Sequence, residues 1–192
     1  MSDLIITANE AMVSLGFKTK PDDFPIIEEI VYGIDRAIKN HCSRCFNKVT
    51  GYVEYLDGDG GTELWLEDYP VENVVLYIDA DLDRTFGEED LIDEDDYVVY
   101  PDIGLIYFGS AFPIGRRNVR ATYDKGFADA DIPYDLKLAC KTEVKIHYSR
   151  HKEGSLGLES YAVAGISKKF YPKELSPFTL AILNKNYVKR RA

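Results

Sequence analysis

The sequence predicts an α+β fold: a small bundle of about four helices with an antiparallel β domain inserted between the second and third. Three observations lead there. A helical apolar stripe runs through residues 23–45, helical patterning returns at Pro133, and between them lie short β-rich runs separated by Asp-, Gly- and Pro-containing turns. The bundle is expected to hold residues 1–48 and 126–192, and the insertion residues 49–125.

Each element has a local cause. Thr7-Ala8-Asn9-Glu10 fits a capping box, so a short helix starts there, and Gly16 ends it. Asp22 or Asp23 is placed to cap a longer helix that tolerates Pro25 in its first turn. Its stripe is Ile27, Ile30, Val31, Ile34, Ala37, Ile38, Cys42 and Cys45. From Val49 the period changes to that of strands. The run Gly51-Tyr52-Val53-Glu54-Tyr55-Leu56, the turn Asp57-Gly58-Asp59-Gly60-Gly61 and the run Thr62-Glu63-Leu64-Trp65-Leu66 read as a hairpin. Further strands are expected at 74–79, 97–100, 105–108 and 118–123, forming a small sheet or barrel. Pro133 opens a third helix to about Arg150, with Leu136, Ala139, Cys140, Val144, His147 and Tyr148 on one face. Residues 152–172 read as a loop. Ser176-Pro177 caps a last helix through Leu180, Ile182, Leu183 and Tyr187, followed by Lys189-Arg190-Arg191.

At 192 residues, 45% apolar and 29% charged, the chain can bury an ordinary core without a metal or disulfide framework. No apolar run approaches the roughly 18 residues that span a bilayer. Met1-Ser2-Asp3 starts no basic, then apolar, secretory signal. Three cysteines suit a reducing compartment. The net charge of −10 is unevenly spread: residues 54–102 hold one basic and eighteen acidic groups, whereas residues 137–192 hold twelve basic and four acidic. This reads either as two differently charged contact surfaces or as a solvated acidic face with a loose basic end.

Several patterns invite chemistry. Cys42-x-x-Cys45 and His147-x3-His151 together spell a zinc set. In an antiparallel helix pair, however, those histidines lie about 20 Å along the third helix from Pro133, away from the cysteines. Two core cysteines and two surface or interface histidines are expected instead, with no metal and no cofactor. Asp79-Ala80-Asp81-Leu82-Asp83 resembles the start of a calcium loop, but Arg84 stands where that loop needs Gly and Asp90 where it needs Glu. It reads as an acidic turn suited to subunit or tail contact. The basic cluster Arg116, Arg117 and Arg120 reads as an edge-strand ion-pair partner for acidic turns, within or between subunits, or as a phosphate clamp. There is no nucleophile elbow or phosphate loop, and no enzyme is expected.

Beyond these local readings, an ordered set of words stands out: Ile5-Ile6-Thr7-Ala8-Asn9-Glu10-Ala11, the long helix from Asp23 to Cys45, Asp68-Tyr69-Pro70-Val71, Asp96-Tyr97-Val98-Val99-Tyr100-Pro101, Gly104-Leu105-Ile106-Tyr107, Arg117-Asn118-Val119-Arg120-Ala121-Thr122-Tyr123 and Ile132-Pro133-Tyr134-Asp135-Leu136. In this order they resemble the phage head–tail connector (adaptor) family of long-tailed bacteriophages, over most of the chain up to Arg150. The resemblance implies a virion protein at the head–tail interface, assembled in the host bacterial cytoplasm. It implies a ring, commonly of twelve copies, under the portal protein, which extends the DNA channel and receives a stopper or tail-completion protein. DNA would pass without specific binding, and no membrane would be involved. Residues 173–192 would then form a portal-docking arm, with Phe170, Tyr171, Phe178, Leu180, Leu183, Tyr187, Lys189, Arg190 and Arg191 as contacts, its aromatics being either interface anchors or packing for the chain's own helices. Deletion of this arm is expected to leave the rest folded. The alternative class is a free acidic phage protein that binds a basic partner as a DNA mimic.

Overall fold

In the computed structural model the protein is described over residues 4–154 and 175–188, together with the backbone of 160–163 and 166–169. The class is α+β, with the main strands between the second and third helices. Two units form: Met1–Arg44 with Asp131–Arg190, and Cys45–Ala130.

The helical unit contains α1 (Ala8–Ser14), α2 (Phe24–Cys42), α3 (Tyr134–Lys152) and α4 (Pro177–Asn186). The predicted capping box is formed: the Glu10 amide donates to Thr7 Oγ1, and the Thr7 amide donates to Glu10 Oε2. Asp23 occupies the N-cap position of α2 without capping it. Its carboxylate instead accepts from the Tyr148 hydroxyl at 2.7 Å and pairs with Lys152 at 2.9 Å, which ties the start of α2 to the end of α3 and sets the two helices antiparallel. Ile27, Val31, Ile34, Ile38 and Cys42 of α2 and Leu136, Ala139, Cys140 and Val144 of α3 are buried, each set at helical spacing. Buried Asp35 accepts from the Ile5 amide at 2.9 Å and pairs with Lys39. The segment before α1 is thereby pinned to α2.

Within this unit β7 (Ser160–Val163) and β8 (Ile166–Lys169) pair antiparallel, where a loop was expected over 152–172. Four-residue runs are too short for an alternation signal to stand out from a loop.

The β unit consists of two three-stranded antiparallel sheets. One has the order β1 (Val49–Gly58), β6 (Gly115–Lys125), β3 (Val71–Ile78), and the other β2 (Glu63–Trp65), β5 (Leu105–Phe108), β4 (Tyr97–Tyr100). The expected hairpin of 51–66 therefore does not form. β1 pairs with β6 and β2 with β5. The Asp57–Gly61 stretch, numbered 57–61, carries the chain from one sheet to the other rather than folding it back. Gly58 is required at that corner: a Cβ there would lie 2.0 Å from the carbonyl oxygen of Pro113. Its amide is held by Asn118 Oδ1 at 2.9 Å. The inner faces of both sheets, with Leu64, Leu76, Ile106, Val119, Ala121 and Tyr123, form one core.

Along one margin of that core lies a buried ionic knot. Lys125 Nζ meets Asp68 Oδ2 at 2.8 Å and stands 3.5 Å from the centroid of the Tyr52 ring. Tyr52 donates to Glu67 at 2.7 Å and Tyr123 donates to Glu54 at 2.6 Å. The hydrogen bond to Glu67, then burial, pushes the Tyr52 hydroxyl up to about 12. Burial and the Glu54 hydrogen bond raise Tyr123 as well. Both phenols therefore stay protonated donors across ordinary pH.

Candidate interaction surfaces

Geometry separates the cysteines from the histidines, and among the described residues they do not converge. His147 sits beside Ile30, Gly33, Ile34, Ala37 and Asn40, in the middle of α2 and not at its cysteine end. Cys42 is buried, and burial pushes its thiol up to about 12. Cys45 departs from expectation: it is exposed, because α2 ends at Cys42 and Ser43 turns the chain with a left-handed φ of 54°.

Asp79, Asp81 and Asp83 do converge, with carboxylate oxygens all within 4.8 Å. Asp79 is buried, and both of its oxygens are engaged by the loop itself, accepting from the Asp83 amide at 3.1 Å and the Arg84 amide at 2.9 Å. Asp83 accepts from the amide and hydroxyl of Thr85, which holds its carboxyl below the usual range. Asp81 is displaced the other way. The Asp83 amide lowers it, but the hydrogen bond with Asp79 and the adjacent negative charges outweigh that bond. Arg84 takes φ 68°, so the turn that a calcium loop makes with Gly is made here by Arg. The triad shapes an acidic turn.

Arg116, Arg117 and Arg120 lie on β6, which is the middle strand of its sheet and not an edge. Among the described residues none of their guanidinium groups forms an ion pair with a carboxylate, although the Arg117 amide donates to Asp57 Oδ1 at 2.7 Å. Arg120 lies over the Tyr77 ring at 3.8 Å and the Phe86 ring at 5.0 Å, and Arg117 over Tyr55 at 5.0 Å. Arg120 Nε is buried with no hydrogen-bond partner among the described residues. Within the chain, stacking stands where an ion pair with the acidic turns, within or between subunits, was expected from sequence. Pairing register explains this: Tyr55, Arg120 and Tyr77 stand opposite one another across β1, β6 and β3. Tyr55, Tyr77 and Phe86 were not singled out from sequence. The alternation of Val53 and Tyr55 on β1 was the available signal.

A further run of acidic groups lies on 88–96, where Glu88, Glu89, Asp93, Glu94, Asp95 and Asp96 are exposed around two single 3-10 turns, Glu88–Asp90 and Glu94–Asp96. No lysine, arginine or histidine occurs between Arg84 and Arg116.

In the helical unit, α4 is capped by Ser176, whose hydroxyl accepts from the Thr179 amide. Leu183 and Tyr187 are buried, whereas Phe178 is exposed and Leu180 half-buried. The Tyr187 hydroxyl donates to Asp135, and burial with that bond raises its pKa. Since Ser176, Thr179, Leu183 and Tyr187 are all buried, α4 is built into its unit, and deletion from 173 would take core with it. That corrects the expectation of an arm removable without harm to the fold. Phe170, Tyr171, Lys189, Arg190 and Arg191 lie outside the described residues.

Comparison with known proteins follows the fold. A family model described as "Head completion protein" matches residues 4–188. Among solved structures, the chain is similar to one in the neck of an empty gene transfer agent particle computed with C6 symmetry, at 19% identity and TM-score 0.57, covering 98% of this chain and 92% of that one. It is similar to a chain in the virion of a native gene transfer agent particle, at 18% identity, TM-score 0.55 and the same coverage. A third, in the neck of the native particle computed with C12 symmetry, has 19% identity and TM-score 0.53, covering 88% of this chain and 84% of that one. No curated protein matches the chain significantly in sequence.

Proposed function

The chain belongs to the head completion protein family, and from that premise we propose that its copies close into a ring beneath the portal, continue the DNA channel and offer a seat to a stopper or tail component. The coarser role follows from the family: it is a structural head–tail connector of the virion, working by contact with other virion components and not by catalysis. No observation favours the free DNA-mimic reading over that placement.

The observation that carries the ring-and-channel reading is the exposed run 88–96, six acidic side chains without a basic residue nearby in sequence. Phosphate contacts from Lys and Arg dominate affinity for DNA, so a channel that passes DNA freely should present acid to it. The proposal assigns the run to that lining. Portal docking is assigned to the exposed side of α4 at Phe178 and to Lys189, Arg190 and Arg191, whose charge suits an acidic portal margin.

The test is docking onto DNA-filled heads that lack the chain. Wild-type protein should co-sediment with them, and removal of 189–192 together with Phe178→Ser should abolish co-sedimentation while leaving the circular dichroism spectrum unchanged. Docking that persists in the folded double variant contradicts the assignment.

A further inference from the structure

The longest edge strand of the β unit is bare. At the edge of β3, the Ile92 amide donates to the Leu76 carbonyl and Leu91 bridges to Tyr77, so that edge is covered. β2 and β4, the edges of the other sheet, have three and four residues. β1 has ten, pairs only with β6 among the described strands, and contains neither Lys nor Pro. Short strands, Lys and Pro are what blunt an edge against pairing with another chain.

Alternation settles which groups of β1 face outward. The Asp79 amide donates to the Asn118 carbonyl, so on β6 the amides and carbonyls of Asn118, Arg120 and Thr122 turn to β3. Those of Val119, Ala121 and Tyr123 turn to β1, where they meet Leu56, Glu54 and Tyr52. The amides and carbonyls of Val53 and Tyr55 therefore point out of the sheet. Both residues are well exposed, at 44% and 43%.

The chain holds a second open piece of sheet. β7 and β8 pair with each other and with no other described strand. A two-stranded hairpin is marginal in water until a further strand or a packed helix supports it. Val163 pairs with Ile166 across two residues, and the pair that closes such a turn is hydrogen-bonded. The backbone of Ser167 and Lys169 therefore faces the open edge of β8. Charge matches as well. Residues 160–169 hold Lys168 and Lys169 and no acid, whereas β1 holds Glu54 and Asp57 in a stretch with no basic residue between Lys48 and Arg84.

We propose that β8 of one copy adds as a fourth strand to the open edge of β1 in the next copy, antiparallel, with Lys169 opposite Val53 and Ser167 opposite Tyr55. That direction sets the lysine end of β8 at the Tyr52–Glu54 end of β1, where Tyr52 also holds Glu67, and away from Arg117, which lies over Tyr55. Main-chain hydrogen bonds supply the affinity. The two edges are not paired with each other within the chain, so the occupant is a second copy. Because the edges differ, the contact is head-to-tail and repeats until it closes. It rests on the ring reading and names the surfaces that make the ring.

Hydrogen exchange of the wild-type chain tests it, followed while rising concentration drives assembly in sedimentation velocity. The amides of Val53, Tyr55, Ser167 and Lys169 should exchange more slowly in the assembly than in the monomer. Assembly that leaves either pair as fast as in the monomer puts the contact elsewhere and leaves the ring reading standing. A chain that stays monomeric at every concentration overturns the ring reading, and this contact with it. Two prolines give a second readout, since Val53→Pro and Ser167→Pro each remove an outward N–H that no described strand accepts. Each variant alone should sediment as a monomer. A one-to-one mixture should stop at a dimer, because each keeps the edge that the other lacks. Assembly of either variant as in wild type contradicts the contact, and so does a monomeric mixture of two variants with wild-type circular dichroism.

Discussion

The carboxylate of Glu143, buried on α3, accepts hydrogen bonds from both the amide (2.9 Å) and the hydroxyl of Ser176, the residue that caps α4. One side chain thus joins two helices and satisfies the start of the second. Glu143→Ala should leave the Ser176 amide buried and unpaired and its hydroxyl with only the longer 3.3 Å bond to Thr179 Oγ1, at a cost of about 1–3 kcal/mol in urea unfolding. Ser176→Ala should cost about 1 kcal/mol. A near-zero effect of Glu143→Ala would mean that α4 is held by apolar packing alone.

Lys125 and Asp68 stand 2.8 Å apart, both buried. Lys125→Met should destabilise the chain by about 3–5 kcal/mol, because it strands the Asp68 charge in the interior. The double variant Lys125→Met with Asp68→Leu should recover much of that loss. Equal losses in the single and double variants would contradict the pairing.

Asp23 gives a pH signature. Hydrogen bonds from Tyr148 and then Lys152 lower its carboxyl from 3.8 to about 2. A depressed carboxyl contributes stability that is complete above its unfolded value, and that stability is lost as pH falls through the folded value. Stability should therefore decline between about pH 4 and pH 2, and Asp23→Asn should flatten that part of the profile. Thermal melts at stepped pH provide the measurement.

The helices were legible because their causes are local. The stripe Ile27, Val31, Ile34 and Ile38, the box at Thr7 and the cap at Ser176 each lie within a few turns of chain. Strand positions were legible for the same reason, but strand partners were not. Tyr55 meets Arg120 some 65 residues away, and a Gly-rich turn at 57–61 looks the same whether it closes a hairpin or crosses between sheets. The stacked arginines follow from that hidden register. Glu143 could have been found: it lies seven residues after Leu136 and four after Ala139, on the apolar stripe of α3, where a carboxylate signals a buried partner.

The proposed acidic lining carries a prediction about DNA. Wild-type protein should not retard duplex DNA at low salt. Replacing Glu88, Glu89, Asp93 and Asp95 with Lys should create binding that weakens steeply as salt rises, and particles built with that variant should release their DNA more slowly. Ejection at the wild-type rate from such particles would move the acidic run off the channel wall.

The most direct measurement is electron microscopy of the purified protein, alone and with portal-bearing heads. Closed rings with a central opening, seated at the single portal vertex, are the predicted result. Solitary particles that leave the vertex bare at every concentration would contradict it.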